Sequence, residues 1–335
     1  VLKPLDLSPV GDGQHRSGWP YCLDALQPLF ASDAPVVFED FVERTFFYDG
    51  MRNRDITYRQ PWVGVMHHPP DMPEWYLPWL RLQQLFKDRR WAQSLPHLRL
   101  LITLGDNLRD WCQQTWPQVP CVVIKHPTGL PQLYWSPAGF MARRQKQVVQ
   151  VGWFLRNVTA IDQVKVAPTF QKIHLYQDND WARKMYDACK KQFAISHPQR
   201  RNQGNVQKVT QLDDAAYDVL LAESVVFIEV ISAVANNTVV ECIARNTPLC
   251  INRHAGPLHY LGPDYPLYYD RFEDVENVLT IENIMAAHQY LTRMDKWWLR
   301  GAMFREQVRT ACLAHVPECR TATMMSPSQE YFCEP

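Results

Sequence analysis

An α/β fold made of two doubly wound parallel layers facing a cleft is the architecture this sequence predicts, and three observations carry the prediction. Short apolar runs rich in Val, Ile and Leu alternate with segments of helical periodicity throughout. The alternation starts twice, with an irregular stretch bearing several Pro and Gly between the two sets. At 335 residues the chain exceeds one ordinary domain, so two units of roughly 150 residues are expected.

In chain order, the first set of strand candidates is PVVFEDF (35–41), PWVGVMHH (61–68), LRLLITLGD (98–106) and CVVIKHP (121–127), each ending in polar residues. Between them, 75–95 and 107–116 place apolar residues at helical spacing, the second behind the capping residues of GDN. Residues 127–145 read as the linker. The second set comprises 146–154, 172–177, 205–212, 224–231, 247–254 and 265–270, with a helix from about Trp181 to Phe193. A long helical pattern from Ile281 to about His315 closes the chain. The expected division is 1–140, 141–315 and a tail or strap at 316–335.

Composition narrows the partners. Lys+Arg and Asp+Glu both number 35, so no global field draws in nucleic acid or an anionic membrane, and small molecules or proteins are the expected partners. Nine cysteines without a CxxC pair argue against a zinc ribbon or a redox dithiol, and their odd number favours a reducing, cytoplasmic compartment. No run reaches the roughly 18 apolar residues of a membrane span, so a soluble protein is expected. Valine at position 1 suggests a domain cut from a longer chain or a processed one.

Function in open α/β sheets belongs at strand C-terminal ends. After SVVFIEVI (224–231), the polar residues Ser232, Asn236, Asn237 and Thr238 fall in a turn, and VVECIARN continues as a short helix. Free N–H groups and the positive dipole end suit phosphate oxygens there. Glu241, about one turn inside, is placed to accept two hydroxyl hydrogen bonds from a ribose. Together these residues suit a nucleoside diphosphate attached to a sugar.

The segment NNTVVECIARNTPLCIN resembles the donor-binding segment of GT-B glycosyltransferases, in which a glutamate precedes an A-x-G-T-P type turn; Glu241, Ala244, Thr247 and Pro248 are the matching residues. QVGWFLRN (150–157) is similar to the strand-to-loop that opens the second domain of such enzymes, with Gly152 and Arg156 at the matching positions. HHPP (67–70) resembles their acceptor-side histidine segment, and the subgroup likeness is to divergent enzymes of bacteria and large algal viruses. The resemblance implies two Rossmann-like domains facing a cleft. It also implies a metal-independent transferase moving a hexose or pentose from a nucleotide-sugar, a UDP-sugar by analogy, to a hydroxyl of a glycan or glycoprotein acceptor. Gly152, Arg156, Asn157, Asn236, Asn237, Thr238 and Glu241 would bind the donor. No cofactor is required. Many retaining members carry a second glutamate eight residues before the ribose-binding one, and Ala233 stands there, which leaves the stereochemical outcome open.

For the acceptor hydroxyl, His68, His67, Asp40 and Glu43 are the candidate bases, although adjacent strand residues face opposite ways and at most one histidine reaches it. Asn252, Arg253 and His254 could line a sugar or base pocket. Two alternatives stand beside this reading. One is a GT-A type enzyme holding a metal through Asp178 and Asp180 of DND, although a helix cap explains either aspartate more simply. The other is a non-catalytic nucleotide-sugar-binding module of a larger glycosylation protein. No G-x-G-x-x-G, Walker lysine or G-x-S-x-G motif occurs, which argues against dehydrogenases, P-loop NTPases and serine hydrolases.

Overall fold

A computed structural model describes residues 1–4, 18–48, 56–210 and 212–324. Eleven strands form two wholly parallel sheets among these residues. The first contains β1 (Lys3–Pro4), β2 (Val37–Glu39), β3 (Trp62–Met66), β4 (Leu98–Thr103) and β5 (Cys121–Val123), side by side in sequence order. The second contains β6 (Lys146–Val151), β7 (Phe170–Leu175), β8 (Val206–Val209), β9 (Val225–Ile228), β10 (Leu249–Asn252) and β11 (Tyr268–Tyr269), in the order β11-β10-β9-β6-β7-β8. Counted within that sheet the order is 6-5-4-1-2-3, a doubly wound layer whose direction reverses between β6 and β9. A crevice opens at the reversal.

The central strands of the second sheet are apolar on both faces. Val148, Val149, Leu249, Cys250, Ile251 and all four residues of β9 are buried, as helices on both sides require. The helix Asn237–Arg245 is buried from Thr238 to Arg245, and both of its ends are fixed by asparagines. Asn236 caps the start by accepting from Thr238 N and Val239 N. Asn246, at φ 60°, ends it in the left-handed region, which asparagine tolerates. The last turn's Arg245 is fully buried against Asp218 (2.5 Å).

Two helical expectations are corrected. Residues 75–95 form two 3₁₀ segments, Pro78–Leu80 and Leu82–Lys87, and a short helix Arg89–Ser94. Leu77 at φ 45° immediately before Pro78 prevents a continuous helix. The closing pattern is likewise two helices, Ile281–Arg293 and Gly301–His315, separated by a turn at Trp297–Leu299. The second of them packs on the helix Trp19–Leu26, and its Phe304, Val308 and Cys312 belong to the first domain's core. In the opposite sense, Trp135 and Phe140, before the expected boundary, sit in the second core. The tail expected at 316–335 begins as a helix, Pro317–Met324; residues 325–335, with Cys333, lie outside the described residues.

A polar seam joins the domains. Tyr76 OH donates to Trp153 O (3.1 Å) and accepts from Leu155 N (2.7 Å), while Ser232 Oγ donates to Asp71 Oδ1 (2.5 Å). His259 Nδ1 meets Asp106 Oδ2 (2.6 Å), and Tyr260 OH donates to Leu104 O (2.9 Å). No described helix is long and apolar enough to cross a membrane.

Candidate functional site

A cavity of about 550 Å³ lies between the domains at the C-terminal ends of β6, β7 and β9. It sits at the topological switch point, and the first domain contributes His67 and Pro69 from the end of β3.

Its floor is built by two loops. In the first, Gly152 has φ +77°, and a Cβ there would overlap the Arg156 guanidinium. The missing side chain therefore makes room for Arg156, which folds back across the loop. Arg156 Nη1 donates to Val151 O and Nη2 to Asn236 Oδ1, both at 2.6 Å. Arg156 is 8% exposed, its Nε is buried without a partner, and no carboxylate pairs with it among the described residues. Burial pushes its guanidinium down from the usual range, against the pull of Tyr217, Tyr76 and Glu241. Burying a cation costs several kcal/mol, and hydrogen bonds to neutral oxygens return only about 1.5–3 kcal/mol each, so a bound anion would supply the missing compensation. We expect Gly152→Ala to lower Tm by several degrees, because a left-handed alanine costs roughly 1–2 kcal/mol and Arg156 must also move. A thermal melt of the variant checks this; an unchanged Tm would contradict it.

The second loop runs from Ser232 to Asn236. The carbonyls of Ala233 and Val234 face Gly256, where a Cβ would approach them to 2.6 and 2.7 Å, so this contact requires glycine. Across trans peptides, the N–H groups of Val234 and Ala235 then point the other way, toward the cavity their residues line. Among the described residues, no acceptor takes the N–H groups of residues 233–236. Free donors thus lie one step before the helix, since Asn236 already occupies the N–H groups of Thr238 and Val239. Asn236, Asn237 and Thr238 all line the cavity.

Glu241 lines it too, 1% exposed, and Oε2 accepts from Tyr217 OH (2.6 Å). Burial pushes the Tyr217 phenol well above its ordinary value, which keeps it protonated as a donor. The sequence reading missed Tyr217, 24 residues away in another helix, because no local spacing connects it to Glu241.

The remaining predicted residues divide sharply. His67 faces the cavity; its Nε2–H donates to Asp40 O (3.0 Å), leaving Nδ1 as the ring's acceptor. Burial against Trp19 and Phe41 pushes it down to about 3. His68 turns into the core, where Nδ1–H donates to Leu80 O (2.9 Å). Asp40 is not on the cavity: it is 5% exposed, accepts from Trp19 Nε1 (2.8 Å) and pairs with Arg44. Glu43 Oε1 accepts from both His67 N and His68 N at 2.8 Å, so it shapes the histidine turn from beneath.

Asn157 is also internal: Nδ2 donates to Glu229 Oε2 (2.6 Å), and Oδ1 accepts from Thr159 N and Oγ1. Asn252 is closed on Val230 through both its amide atoms. Arg253 pairs with Asp270 (3.2 Å) above the Tyr268 ring, and His254 pairs with Asp71 (3.3 Å); none of these three lines the cavity. Asp178 and Asp180 both pair with Arg183, whereas Asn179 between them caps the helix Asp180–Ser196. The cap is therefore the asparagine, and the aspartates hold an arginine.

No family model matches the chain, and no curated protein matches its sequence. Solved structures do match in fold. One is a trehalose-6-phosphate structure from E. coli bound with UDP-2-fluoro glucose, with TM-score 0.56 and 12% identity over 87% of this chain and 76% of that one. Another is a UDP-forming alpha,alpha-trehalose-phosphate synthase from Burkholderia xenovorans in complex with glucose-6-phosphate, with TM-score 0.53 and 12% identity over 88% and 77%. A third is alpha,alpha-trehalose 6-phosphate synthase from Burkholderia multivorans, with TM-score 0.53 and 12% identity over 91% and 75%. At such identity the likeness is one of fold. The chain has the GT-B architecture: two parallel α/β domains around a cleft. The GT-A alternative falls with that architecture.

Proposed function

We propose that the protein is a glycosyltransferase that moves a sugar from a nucleotide-sugar, a UDP-sugar by analogy with its structural neighbours, to an acceptor hydroxyl. The observation that carries this reading is the buried Arg156, paired with no carboxylate among the described residues, beside the backbone N–H groups of Val234 and Ala235, which no acceptor takes among those residues, with Glu241 held one helical turn further along the same cavity. Arg156 and the N–H groups take the diphosphate and Glu241 takes the ribose hydroxyls. In the reaction the acceptor oxygen bonds to the anomeric carbon, the bond from that carbon to the diphosphate oxygen breaks, and the hydroxyl proton leaves with the diphosphate. Negative charge growing on the leaving oxygen is met by Arg156 and the loop donors, the kind of fixed electrostatic stabilisation that dominates such steps. This charge balance needs no metal.

His67 enters as a hydrogen-bond acceptor that orients the hydroxyl through Nδ1. With its pKa near 3 the ring is neutral at every pH above about 4 and is a weak base at pH 7, so the departing diphosphate is the better proton acceptor. The rate should therefore show no inflection near 6.5 that vanishes in His67→Gln, while that variant slows transfer by about 10–100-fold. Loss of such an inflection on substitution would make His67 the base instead.

The reading is tested by incubating the protein with UDP-, GDP- and dTDP-sugars, with and without chelator, and measuring nucleotide release. Chelator-resistant release from one donor supports a metal-independent transferase. Binding without release, even with acceptors supplied, would favour the non-catalytic module, a reading that Ala233 in place of a carboxylate keeps open.

A further inference from the structure

Arg156 is presented to the cavity by a turn with an unusual residue in it. Arg156 N donates to Trp153 O (3.3 Å), which closes the turn 153–156, and Leu155, immediately before the arginine, has φ 54°. Turns with positive φ at their third residue ordinarily place glycine or asparagine there, because a Cβ crowds the following carbonyl oxygen. A leucine keeps that conformation where its surroundings over-determine it.

Here the first domain imposes it. The fully buried Tyr76 accepts from Leu155 N (2.7 Å) and donates to Trp153 O (3.1 Å), so one hydroxyl bridges two residues of the turn. The Leu155 side chain is 3% exposed and packs into the first domain's core. On the second domain's side, Leu155 O accepts from Ile231 N (2.9 Å), one residue before the second cavity loop. That loop is held at its start by Ser232 Oγ on Asp71 Oδ1 (2.5 Å) and at its end by Arg156 Nη2 on Asn236 Oδ1 (2.6 Å). Turn, loop and guanidinium form one connected circuit, and Tyr76 fastens it to the first domain at the strained residue.

We infer that Tyr76 is a positioning residue: its hydroxyl holds Leu155 in the left-handed region, and so aims Arg156 at the leaving diphosphate. This rests on the transferase reading above and adds to it the residue through which the first domain sets the donor site. Tyr76 does not line the cavity, so it acts through Arg156 and not on the substrate. A misaimed guanidinium still carries its charge, but its donors no longer meet the developing oxyanion along their bond directions.

The test is a double-mutant cycle on the full chain, read as single-turnover nucleotide release at saturating donor, with UDP-glucose, GDP-glucose and dTDP-glucose as probes. Tyr76→Phe removes the hydroxyl and keeps the ring, whose edge-to-face contacts with Trp75 (5.5 Å) and Phe154 (6.0 Å) do not use it. The expected result is release about 10–100-fold slower for Tyr76→Phe in the wild-type chain, and less than threefold slower when the same change is made in Arg156→Ala. A merely structural role lowers the rate by the same factor in both backgrounds, and that outcome overturns the inference. So does a Tyr76→Phe rate within threefold of wild type. Circular dichroism and thermal melts establish that the compared chains are folded; a Tyr76→Phe chain that does not fold gives the hydroxyl a structural role and overturns the inference as well. Wild type that releases nucleotide from none of the three probes fails the transferase reading itself, which is seen without any variant, and takes the inference with it.

Discussion

Replacing Arg156 with alanine should lower the rate of nucleotide release by about 100- to 1,000-fold, the usual effect of removing one preorganised donor from a developing oxyanion. The cause is geometric. Arg156 is the buried cation of the cavity among the described residues, and its guanidinium is oriented by Val151 O and Asn236 Oδ1 while Nε has no partner among them. Alanine removes the charge and empties the space that Gly152 makes for it. Because Asn236 keeps its bonds to Thr238 N and Val239 N, the helix cap should survive and the fold with it. Arg156→Lys separates charge from shape: lysine restores a cation but not the two directed donors, so its rate should fall between wild type and alanine. Single-turnover kinetics with saturating donor read the chemical step directly, and a rate within threefold of wild type for the alanine variant would remove Arg156 from the mechanism.

Glu241→Ala should weaken nucleotide-sugar binding by about 10- to 100-fold, the equivalent of losing one hydrogen bond to a carboxylate at roughly 1.5–3 kcal/mol. Part of any loss comes from removing the carboxylate to which the half-buried Tyr217 hydroxyl donates. Adding Tyr217→Phe to Glu241→Ala removes that part, so the double variant compared with Glu241→Ala measures it. A donor lacking its ribose hydroxyls isolates the rest: wild type should bind it as weakly as Glu241→Ala does, and the variant should bind both donors alike. Calorimetric titration of the four combinations decides the point. Full discrimination between the two donors retained by Glu241→Ala would place the ribose elsewhere.

The second domain's side of the cavity was legible in the sequence because its parts are neighbours along the chain. Strand end, turn, cap and helix follow one another from Val225 to Arg245, so the positions of Asn236 and Glu241 follow from local rules. Arg156 was legible for the same reason, four residues after the glycine that makes room for it. The first domain's side was not. Asp40 and Glu43 read as polar residues at a strand end, yet the first is tied to Trp19 and Arg44 and the second to two backbone amides of the histidine turn. Which partner claims a carboxylate is decided by tertiary packing. Adjacent histidines were expected to diverge, and they do, but only packing shows that His67 takes the cavity and His68 the core.

At the level of elements, the parallel α/β character was visible as apolar runs, whereas strand order was not, because nothing local orders β9 beside β6. The apolar periodicity over 75–95 suggested one helix, although the left-handed Leu77 and the proline after it make that segment a series of turns. The face of Gly301–His315 was visibly apolar, but the sequence could not say that the first domain covers it.

The central claim is that one cavity binds a nucleotide-sugar through Arg156, the loop at residues 233–236 and Glu241. Equilibrium binding of a panel of UDP-, GDP- and dTDP-sugars, measured with wild type, Arg156→Ala and Glu241→Ala, tests it most directly. The account predicts that one nucleotide-sugar binds the wild type and that each substitution weakens it at least tenfold. Binding of no member of the panel, or binding indifferent to both substitutions, would contradict it.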